Sequence, residues 1–353
     1  MREIQVDLAK IQSNYRQLKS LVAPSEVMAI VKANGYGHGM HEVAQALEDI
    51  SVDALGVADL EEAIALRAAG IKSRLMCWIL NADDDFEMAA EQEIELGVSN
   101  FPVLEAALAA NVKSIHIKVD TGLGRAGFAK AQWSEVFEKL SGQTIGLFSH
   151  LANASDTEDR KQEQLFLEAE RVALASGIKI SQRHLAATAG AISYPSMRYE
   201  MVRAGIGIYG LNPWGDREYG QYQLHPAMRV VSEVVNLKRV PAGQGVSYGY
   251  RYRTAQETTL ALVPFGYSEG MPRIAVGAKV LIAGKQFEVS GRVAMDQFVV
   301  DIGDHEVSLG SEVVIFGDPA NGEPSAEDLG ASAGTINYEI VTRIGGRAKR
   351  VYL

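Results

Sequence analysis

Between residue 27 and about residue 210, short apolar runs alternate with amphipathic stretches, and this alternation restricts the possible folds more than any other feature. One pair of segments takes roughly 20 to 30 residues, a length that suits parallel βα units. Most of the apolar runs lack a polar face, as is typical of strands covered on both sides. We therefore predict eight strands, at residues 27–32, 54–59, 74–80, 95–100, 114–120, 144–150, 180–188 and 201–209.

These strands and the helices between them predict a (β/α)8 barrel. Helices are expected at residues 60–69, 102–110 and 159–176, the last with Gly177 as a C-terminal stop. A doubly wound open sheet is the alternative fold. Polar residues at the predicted strand ends favour the barrel, because barrel enzymes collect their reactive groups there. These residues are Lys32, Asp59, Asn100, Lys118, Asp120, His150, Thr188 and Arg203.

After about residue 225 the pattern changes to short β-strands separated by Gly, Pro and Asp turns. We predict a C-terminal, mostly β domain at residues 226–353 and a barrel domain at residues 1–225. The segment 212–226, which has two prolines, two glycines and little periodicity, is the predicted linker. The β-rich runs lie at residues 228–240, 258–267, 278–284, 285–293, 297–303 and 311–317.

The composition indicates a small-molecule partner. A formal net charge of −10 argues against attraction to nucleic acid or anionic lipid. No apolar stretch approaches the roughly 20 residues of a membrane-spanning helix, and the N-terminal segment lacks the apolar core of a secretory signal. The single cysteine, Cys77, precludes an intrachain disulfide and fits a reducing compartment. We expect a cytoplasmic protein with no nucleic-acid, membrane or metal partner.

The segment VMAIVKANGYGHG, residues 27–39, is the most informative stretch. A predicted buried strand ends there in Lys32 and runs into a turn with several glycines. A lysine at the mouth of a barrel is partly desolvated, which lowers its pKa and frees the amine to form an imine with an aldehyde. A lysine that merely ends a strand is the structural alternative, and this motif alone does not decide between them.

Several motifs, taken in order, resemble those of the alanine racemases. VKANGYGHG is similar to that family's cofactor-lysine motif, and KVDTGLGRAG, MVRAGIGIYG, GQGVSYG, GRVAMDQF and TINYE follow in the family's order. The resemblance implies a barrel with a C-terminal β domain, a pyridoxal phosphate cofactor and the racemisation of alanine. It also implies a homodimer with shared active sites, and a role in supplying D-alanine for peptidoglycan.

The resemblance assigns the cofactor contacts. Lys32 would carry pyridoxal phosphate, and Arg203 would face its ring nitrogen while His150 holds the guanidinium in plane. Because an arginine does not transfer its proton to the ring nitrogen, the ring would be a weaker electron sink, which favours racemisation over transamination. Thr188 stands where the family is expected to have a serine, but it keeps the hydroxyl. The implied phosphate contacts are Tyr36, Thr188, Gly205, Ile206 and Tyr338.

The resemblance also implies two acid/base groups, Lys32 and Tyr248, on opposite faces of the substrate α-carbon, with Tyr248 supplied by the partner subunit. Tyr250 and Tyr252 are close in sequence, but Tyr248 fits the SYG frame. A tyrosine has a pKa near 10, so it is a poor base unless positive charge lies nearby. We therefore expect a cationic environment around Tyr248.

Substrate contacts are implied for Arg125, Met295 and Asp296, where the methionine amide would bind a carboxylate oxygen. Lys118 and Arg125 are two cations that repel unless an anion intervenes. In the family this lysine is often carbamylated, which makes it an anion. After Tyr267 this chain has Ser268 and Glu269 where an alanine and an aspartate are expected. This departure leaves the role of the loop and the substrate size limit open.

Three other functions are compatible with parts of the sequence. Residues 122–127 read GLGRAG, the glycine pattern of an NAD-dependent dehydrogenase, but no acidic residue follows at about 20 positions. A non-catalytic pyridoxal phosphate protein would resemble only the barrel half. Serine or a broader range of amino acids is an alternative substrate, since a methylene in a pocket is worth only about 1–3 kcal/mol.

Overall fold

The computed structural model describes residues 1–214, 219–275 and 277–353, so part of the predicted linker, residues 215–218, lies outside the described residues. The chain divides into two compact units. The barrel unit comprises Tyr15–Gly35 and Met40–Ile208, and the β unit comprises Met1–Asn14, Tyr36–Gly39 and Tyr209–Leu353. The β unit therefore includes the N-terminal residues and a short piece of the segment that follows Lys32.

The first strand, β1 (Glu3–Val6), belongs to the β unit, where it pairs in parallel with the C-terminal residues 349–352. Eight parallel strands form the sheet of the barrel unit in the described residues, in the order β8-β7-β6-β5-β4-β3-β2-β9. A parallel bridge joins Ala187, in the segment that follows β8, to Arg203 of β9 and closes the barrel. The strands are β2 (Glu26–Ile30), β3 (Ala54–Gly56), β4 (Leu75–Cys77), β5 (Glu95–Val98), β6 (Ile115–Lys118), β7 (Thr144–Phe148), β8 (Lys179–His184) and β9 (Met201–Ala204).

All eight predicted strands are therefore confirmed, but most end earlier than predicted, because the chain leaves the ladder to begin a loop or helix. Asp59 and Asn100, predicted among the reactive strand-end residues, are helix N-caps that accept from the amides of Glu62 and Val103. Thr188 begins a helix instead of ending a strand. The helices are Leu8–Val22, Met40–Glu48, Leu60–Ala68, Phe86–Glu91, Phe101–Ala109, Trp133–Lys139, Asp156–Ala175, Thr188–Ser193, Ala326–Ser332 and Asn337–Arg343.

In the β unit, the described residues form a six-stranded sheet in the order β16-β15-β18-β10-β1-β19, a three-stranded sheet β11-β14-β17 and a two-stranded hairpin, β12 with β13. Each predicted β-rich run contains at least one strand. The alternating burial of β17 shows why: Phe298, Val300 and Ile302, at every second position, are buried. The strands are β10 (Met228–Glu233), β11 (Asn236–Val240), β12 (Gly245–Val246), β13 (Tyr252–Arg253), β14 (Thr258–Val263), β15 (Lys279–Ile282), β16 (Lys285–Glu288), β17 (Phe298–Gly303), β18 (Glu312–Phe316) and β19 (Lys349–Tyr352).

None of the helices in the described ranges has the length and apolar character that crossing a bilayer requires. Cys77, on β4, is fully buried and free.

Candidate active site

Lys32 opens a left-handed turn directly after β2. Ala33, Asn34 and Gly35 have φ/ψ of 53/50°, 54/45° and 62/43°, and Tyr36 has φ 52°. A left-handed backbone costs roughly 1–2 kcal/mol for each residue that carries a Cβ. Such strain persists only where the surroundings enforce it, and it is concentrated at functional sites. The strained geometry of the turn therefore indicates that Lys32 is held in place for a function, at a cost in the stability of the turn.

Glu62 enforces this turn from the neighbouring βα unit. One of its carboxylate oxygens accepts from the amide of Ala33 at 2.7 Å, and the other accepts from the amide of Ala58 at 2.8 Å. The carboxylate thus ties the turn after β2 to the loop after β3. Sequence reasoning missed Glu62, because it reads as an ordinary acidic residue in the first turn of a helix.

Four cations of the barrel unit interact electrostatically at the ends of its strands. Burial, followed by the charge of Arg125, lowers the pKa of Lys32, although Glu62 opposes the shift. Burial, followed by Arg203 and Arg125, lowers the pKa of Lys118 to about 8. A set of mutually repelling cations is stabilised by an anion placed among them. The structure thus brings together four of the residues predicted from the sequence and gives them the electrostatics of an anion site.

Arg203 lies inside the barrel, only 6% exposed. One terminal nitrogen donates to the carbonyl and Nδ1 of His184 at 2.7 and 2.9 Å, and the other donates to the carbonyls of Ser149 and Leu185 and to Nδ1 of His150. Within the described ranges, no acceptor lies opposite its Nε–H. Burial, then Arg125, lowers the pKa of Arg203 to about 9, so the guanidinium stays charged at neutral pH. The side chain is held rigidly, with one donor available to a ligand.

His150 contacts Arg203, with Nδ1 3.2 Å from the guanidinium, a contact that the family resemblance implies. Burial and the neighbouring cations, Arg203 first, lower its pKa to about 3. The ring is therefore neutral, and Nδ1 accepts the hydrogen bond. His184, the last residue of β8, makes a closer contact with the same guanidinium. Sequence reasoning missed it, because the predicted strand continued four residues beyond it.

The predicted phosphate-binding groups of the barrel unit lie together where β9 ends. The hydroxyl of Thr188 accepts from the amides of Gly205 at 3.2 Å and Gly207 at 3.5 Å. A Cβ on Gly207 would lie 2.7 Å from the methyl group of Thr188, so only glycine permits this close approach. Ile206 is buried beside them. The threonine therefore supports the loop through its hydroxyl.

Two backbone amides of the glycine-rich segment 122–127 are bound by the side chain of the preceding Asp120. The carboxylate of Asp120 accepts from the amides of Gly122 and Gly124 at 2.9 and 3.2 Å. A dinucleotide phosphate would need free amides of this kind. The loop geometry thus gives no support to the dehydrogenase alternative.

In the β unit, the predicted phosphate contacts Tyr36 and Tyr338 belong to one aromatic cluster. The ring of Tyr36 lies 5.0 Å from that of Tyr209 and 6.2 Å from that of Tyr338, and His38 stacks on Tyr209 at 4.3 Å. Burial raises the pKa of Tyr36 to about 12 and raises that of Tyr338 further. Both phenols therefore keep their protons and act as hydrogen-bond donors at neutral pH.

The hairpin of β12 and β13 carries the three candidate tyrosines in different settings. Tyr248 is 70% exposed. The ring of Tyr250 packs over Gly245, where a Cβ would lie 2.5 Å from it. The hydroxyl of Tyr252 donates to Asp301 at 2.7 Å, and burial together with that carboxylate raises its pKa to about 12. Of the three, Tyr248 is the tyrosine most accessible to another molecule.

Ser268 and Glu269, which depart from the family pattern, hold the loop of Met295 and Asp296. The hydroxyl and the amide of Ser268 donate to the carbonyl of Met295 at 2.8 and 3.0 Å. Arg347 donates to Asp296 at 2.7 Å, to Ser268 at 2.6 Å and to the fully buried Glu269 at 2.6 Å. Through these contacts Ser268 and Glu269 hold the loop in place, a role that the sequence left open. The contacts also add Arg347 to the site.

The chain is similar over its whole length to proteins of one family. The profile described as "Alanine racemase, N-terminal domain" matches residues 6–213, and "Alanine racemase, C-terminal domain" matches residues 227–352. Alanine racemases of Beutenbergia cavernae and Thermobifida fusca are 40% and 41% identical to it, each over 99% of this chain and 97% of the relative. The crystal structure of alanine racemase from Streptomyces lavendulae has a TM-score of 0.96 at 40% identity, covering 100% of this chain and 97% of that one.

Proposed function

This chain belongs to the alanine racemase family, and on that premise we propose that it interconverts L-alanine and D-alanine with pyridoxal phosphate bound to Lys32. The observation that carries the proposal is the anion site of the barrel unit, in which Lys32, Lys118 and Arg203 are buried or half-buried at strand ends. A lysine whose pKa is lowered in this way is ready to bond to an aldehyde.

The residues present fit this cofactor in two respects. A phosphate group would supply the negative charge that the cations need, and we assign it to the amides of Gly205 and Ile206. The Gly205 amide would exchange its 3.2 Å bond to the Thr188 hydroxyl for a bond to the phosphate. The Nε–H of Arg203 is a donor suited to an unprotonated ring nitrogen. When bound, the cofactor supplies the electron sink that makes the α-proton of an amino acid acidic. We assign Tyr36 and Tyr338 to the phosphate as further hydrogen-bond donors.

Proton transfer is proposed to use two bases. Lys32 takes or returns the α-proton on one face, for which its lowered pKa is required. Tyr248 of the partner subunit acts on the other face, and its high exposure in a single chain is what a residue donated to a neighbouring subunit would show. The proposed assembly is therefore a homodimer with shared active sites.

Arg203 limits the reaction to racemisation. The guanidinium keeps its proton, so a ring nitrogen in contact with Arg203 would remain unprotonated and would withdraw electrons less strongly. Proton return to the α-carbon is then favoured over transamination. His150 and His184 contribute by holding the guanidinium in place through its two terminal nitrogens.

Arg125, Met295 and Asp296 are the proposed substrate contacts, with the amide of Met295 and the guanidinium of Arg125 on the carboxylate. A pKa of about 8 leaves part of the Lys118 population neutral near pH 7, and only a neutral amine reacts with carbon dioxide. We therefore propose that Lys118 is carbamylated and orients Arg125. Alanine is the favoured substrate, with serine the alternative.

The loop contacts of Ser268 give a test of substrate binding. The Ser268→Ala variant loses the hydrogen bond from the hydroxyl to the carbonyl of Met295. Such a bond contributes about 1 kcal/mol, so we expect KM for alanine to rise about five-fold. The kcat should stay within about two-fold, since no group at the reacting carbon changes. Steady-state kinetics measure both constants, and Ser308→Ala, at an exposed serine, is the matched control. An unchanged KM would contradict this role for the loop.

The proposed biological role is the supply of D-alanine for peptidoglycan, with the enzyme acting in the cytoplasm. The single cysteine, buried and free, is compatible with a reducing compartment.

The function is tested with the purified protein. We expect the absorbance of a lysine-bound pyridoxal phosphate, and formation of D-alanine from L-alanine and the reverse, with L-serine as the comparison substrate. A protein that binds the cofactor without exchanging the α-proton of either alanine enantiomer would be the non-catalytic alternative. A protein that exchanges serine faster than alanine would correct the substrate.

A further inference from the structure

A line of buried polar residues starts at Arg203 and His184 and crosses the interior of the barrel to His116 and Glu95, two residues with no role assigned above. Nδ1 of His184 lies 2.9 Å from the guanidinium of Arg203, and its Nε2 lies 2.9 Å from Nδ1 of His116. Nε2 of His116 lies 3.2 Å from the carboxylate of Glu95. Glu95 is the first residue of β5, whereas His184 is the last residue of β8. The line therefore connects one end of the barrel with the other.

The two ends of this line dictate the direction of every hydrogen bond in it. A guanidinium only donates, so Nδ1 of His184 must accept and its proton must be on Nε2. That proton is donated to Nδ1 of His116, which leaves the proton of His116 on Nε2. This proton is donated to Glu95, because an ionised carboxylate only accepts. His116 and Arg74 hold the pKa of Glu95 low, at about 2, despite its burial.

The barrel walls leave the two rings little freedom except the choice of tautomer. A Cβ on Gly146 would lie 2.0 Å from Nδ1 of His116, so the ring occupies space that any other residue would fill. The ring of His184 stacks on Phe148, with centroids 4.8 Å apart and planes 5° apart. His116 and His184 are 3% and 0% exposed. Water therefore has little access to replace a lost hydrogen bond.

We propose that Glu95 and His116 are positioning residues that hold His184 in the tautomer able to accept from Arg203. The inference rests on the proposed function in one respect, namely that Arg203 faces the cofactor ring. If the direction of the line reversed, His184 would present an N–H to the N–H of the guanidinium. Two donors would then oppose each other in a buried site, and Arg203 would lose its alignment.

Glu95→Gln is the variant that reverses the line with the least change in shape. Glu95 accepts from Arg74 through both oxygens, at 2.9 Å on Oε1 and 3.2 Å on Oε2, and Oε2 also faces His116. We expect the amide oxygen of the glutamine to keep the shorter bond from Arg74, because the other Arg74 nitrogen still donates to Gln182 at 3.1 Å. The NH2 of the glutamine would then face His116. His116 must then accept through Nε2 and move its proton to Nδ1, and His184 must follow. The matched control is Glu26→Gln, at a carboxylate that contacts Arg74 at 2.9 Å and neither histidine.

The experiment combines a tautomer measurement with kinetics. In ¹⁵N-histidine NMR spectra of the wild-type holoenzyme, we expect neutral His116 and His184, both protonated on Nε2, and both protonated on Nδ1 in E95Q. We expect kcat of E95Q to fall about ten-fold or more, with KM within about three-fold and a changed absorbance of the bound cofactor. E26Q should stay within about two-fold of wild type in kcat.

The inference is overturned if either histidine of the wild-type protein carries its proton on Nδ1. This test does not depend on whether E95Q folds. It is also overturned if E95Q keeps its kcat within two-fold, or if E26Q loses as much activity as E95Q. Failure of the proposed function has a different signature, because a protein without racemase activity would still report its histidine tautomers.

Discussion

Lys32→Ala is expected to abolish covalent attachment of pyridoxal phosphate and to reduce racemisation by about 10⁴-fold or more. One substitution removes the amine that bonds to the aldehyde and also one of two acid/base groups, each worth roughly 10²–10⁴-fold. The strained turn contains no second lysine that could replace Lys32. Racemase assays and the absorbance of the bound cofactor measure the two losses separately.

The rival residue in this experiment is Lys118, whose pKa is lowered to about 8 by burial and by the neighbouring cations. Reduction of the wild-type holoenzyme with borohydride, followed by peptide mapping, should place the cofactor on Lys32. A label on Lys118 would contradict the assignment. Lys130→Ala, at an exposed lysine paired with Glu168, is the control and should stay within about two-fold.

Tyr248→Phe is expected to retain the cofactor and to lose racemisation by about 10²–10⁴-fold, because the hydroxyl is the proposed acid/base group on one face of the α-carbon. The effect should be unequal for the two enantiomers. Exchange of the α-proton in deuterated water, followed by NMR on L-alanine and D-alanine separately, should persist for one enantiomer and stop for the other.

Tyr250→Phe is the matched control for this prediction, since Tyr250 lies in the same 3-10 turn and is also exposed, but its ring packs over Gly245. It should stay within about two-fold of the wild-type rate. Equal loss of exchange for both enantiomers in Tyr248→Phe would count against two bases. A larger loss in Tyr250→Phe would show that the tyrosine was chosen wrongly.

The barrel was predictable because its signal is local. Apolar strands such as β2 and β7, each repeated after a helix, follow from side-chain periodicity within a few residues. Strand ends were less predictable, because a polar residue there serves equally as a helix cap. Asp59 and Asn100 illustrate this, since their side chains accept backbone amides instead of taking part in chemistry.

Other features depend on residues far apart in sequence. Nothing in the N-terminal segment indicates that β1 pairs with β10 and with β19. In the register of these pairs, Glu3 lies opposite Val231 and Lys349, which are 228 and 346 residues away in the sequence. Glu62, His184 and Arg347 also have partners that are distant in the sequence, which are Ala33, Arg203 and Glu269. Each gains its role from a partner that no short pattern contains.

The sequence by itself determined the elements, the ordered motifs and therefore the family, because these depend on the identity and spacing of nearby residues. Only the tertiary structure decided which charges share a buried space. Burial and cations from other strands lower the pKa values of Lys118, His150 and His184. Desolvation and Coulomb interactions act through space, so the chemical state of these groups exists only once the barrel has closed.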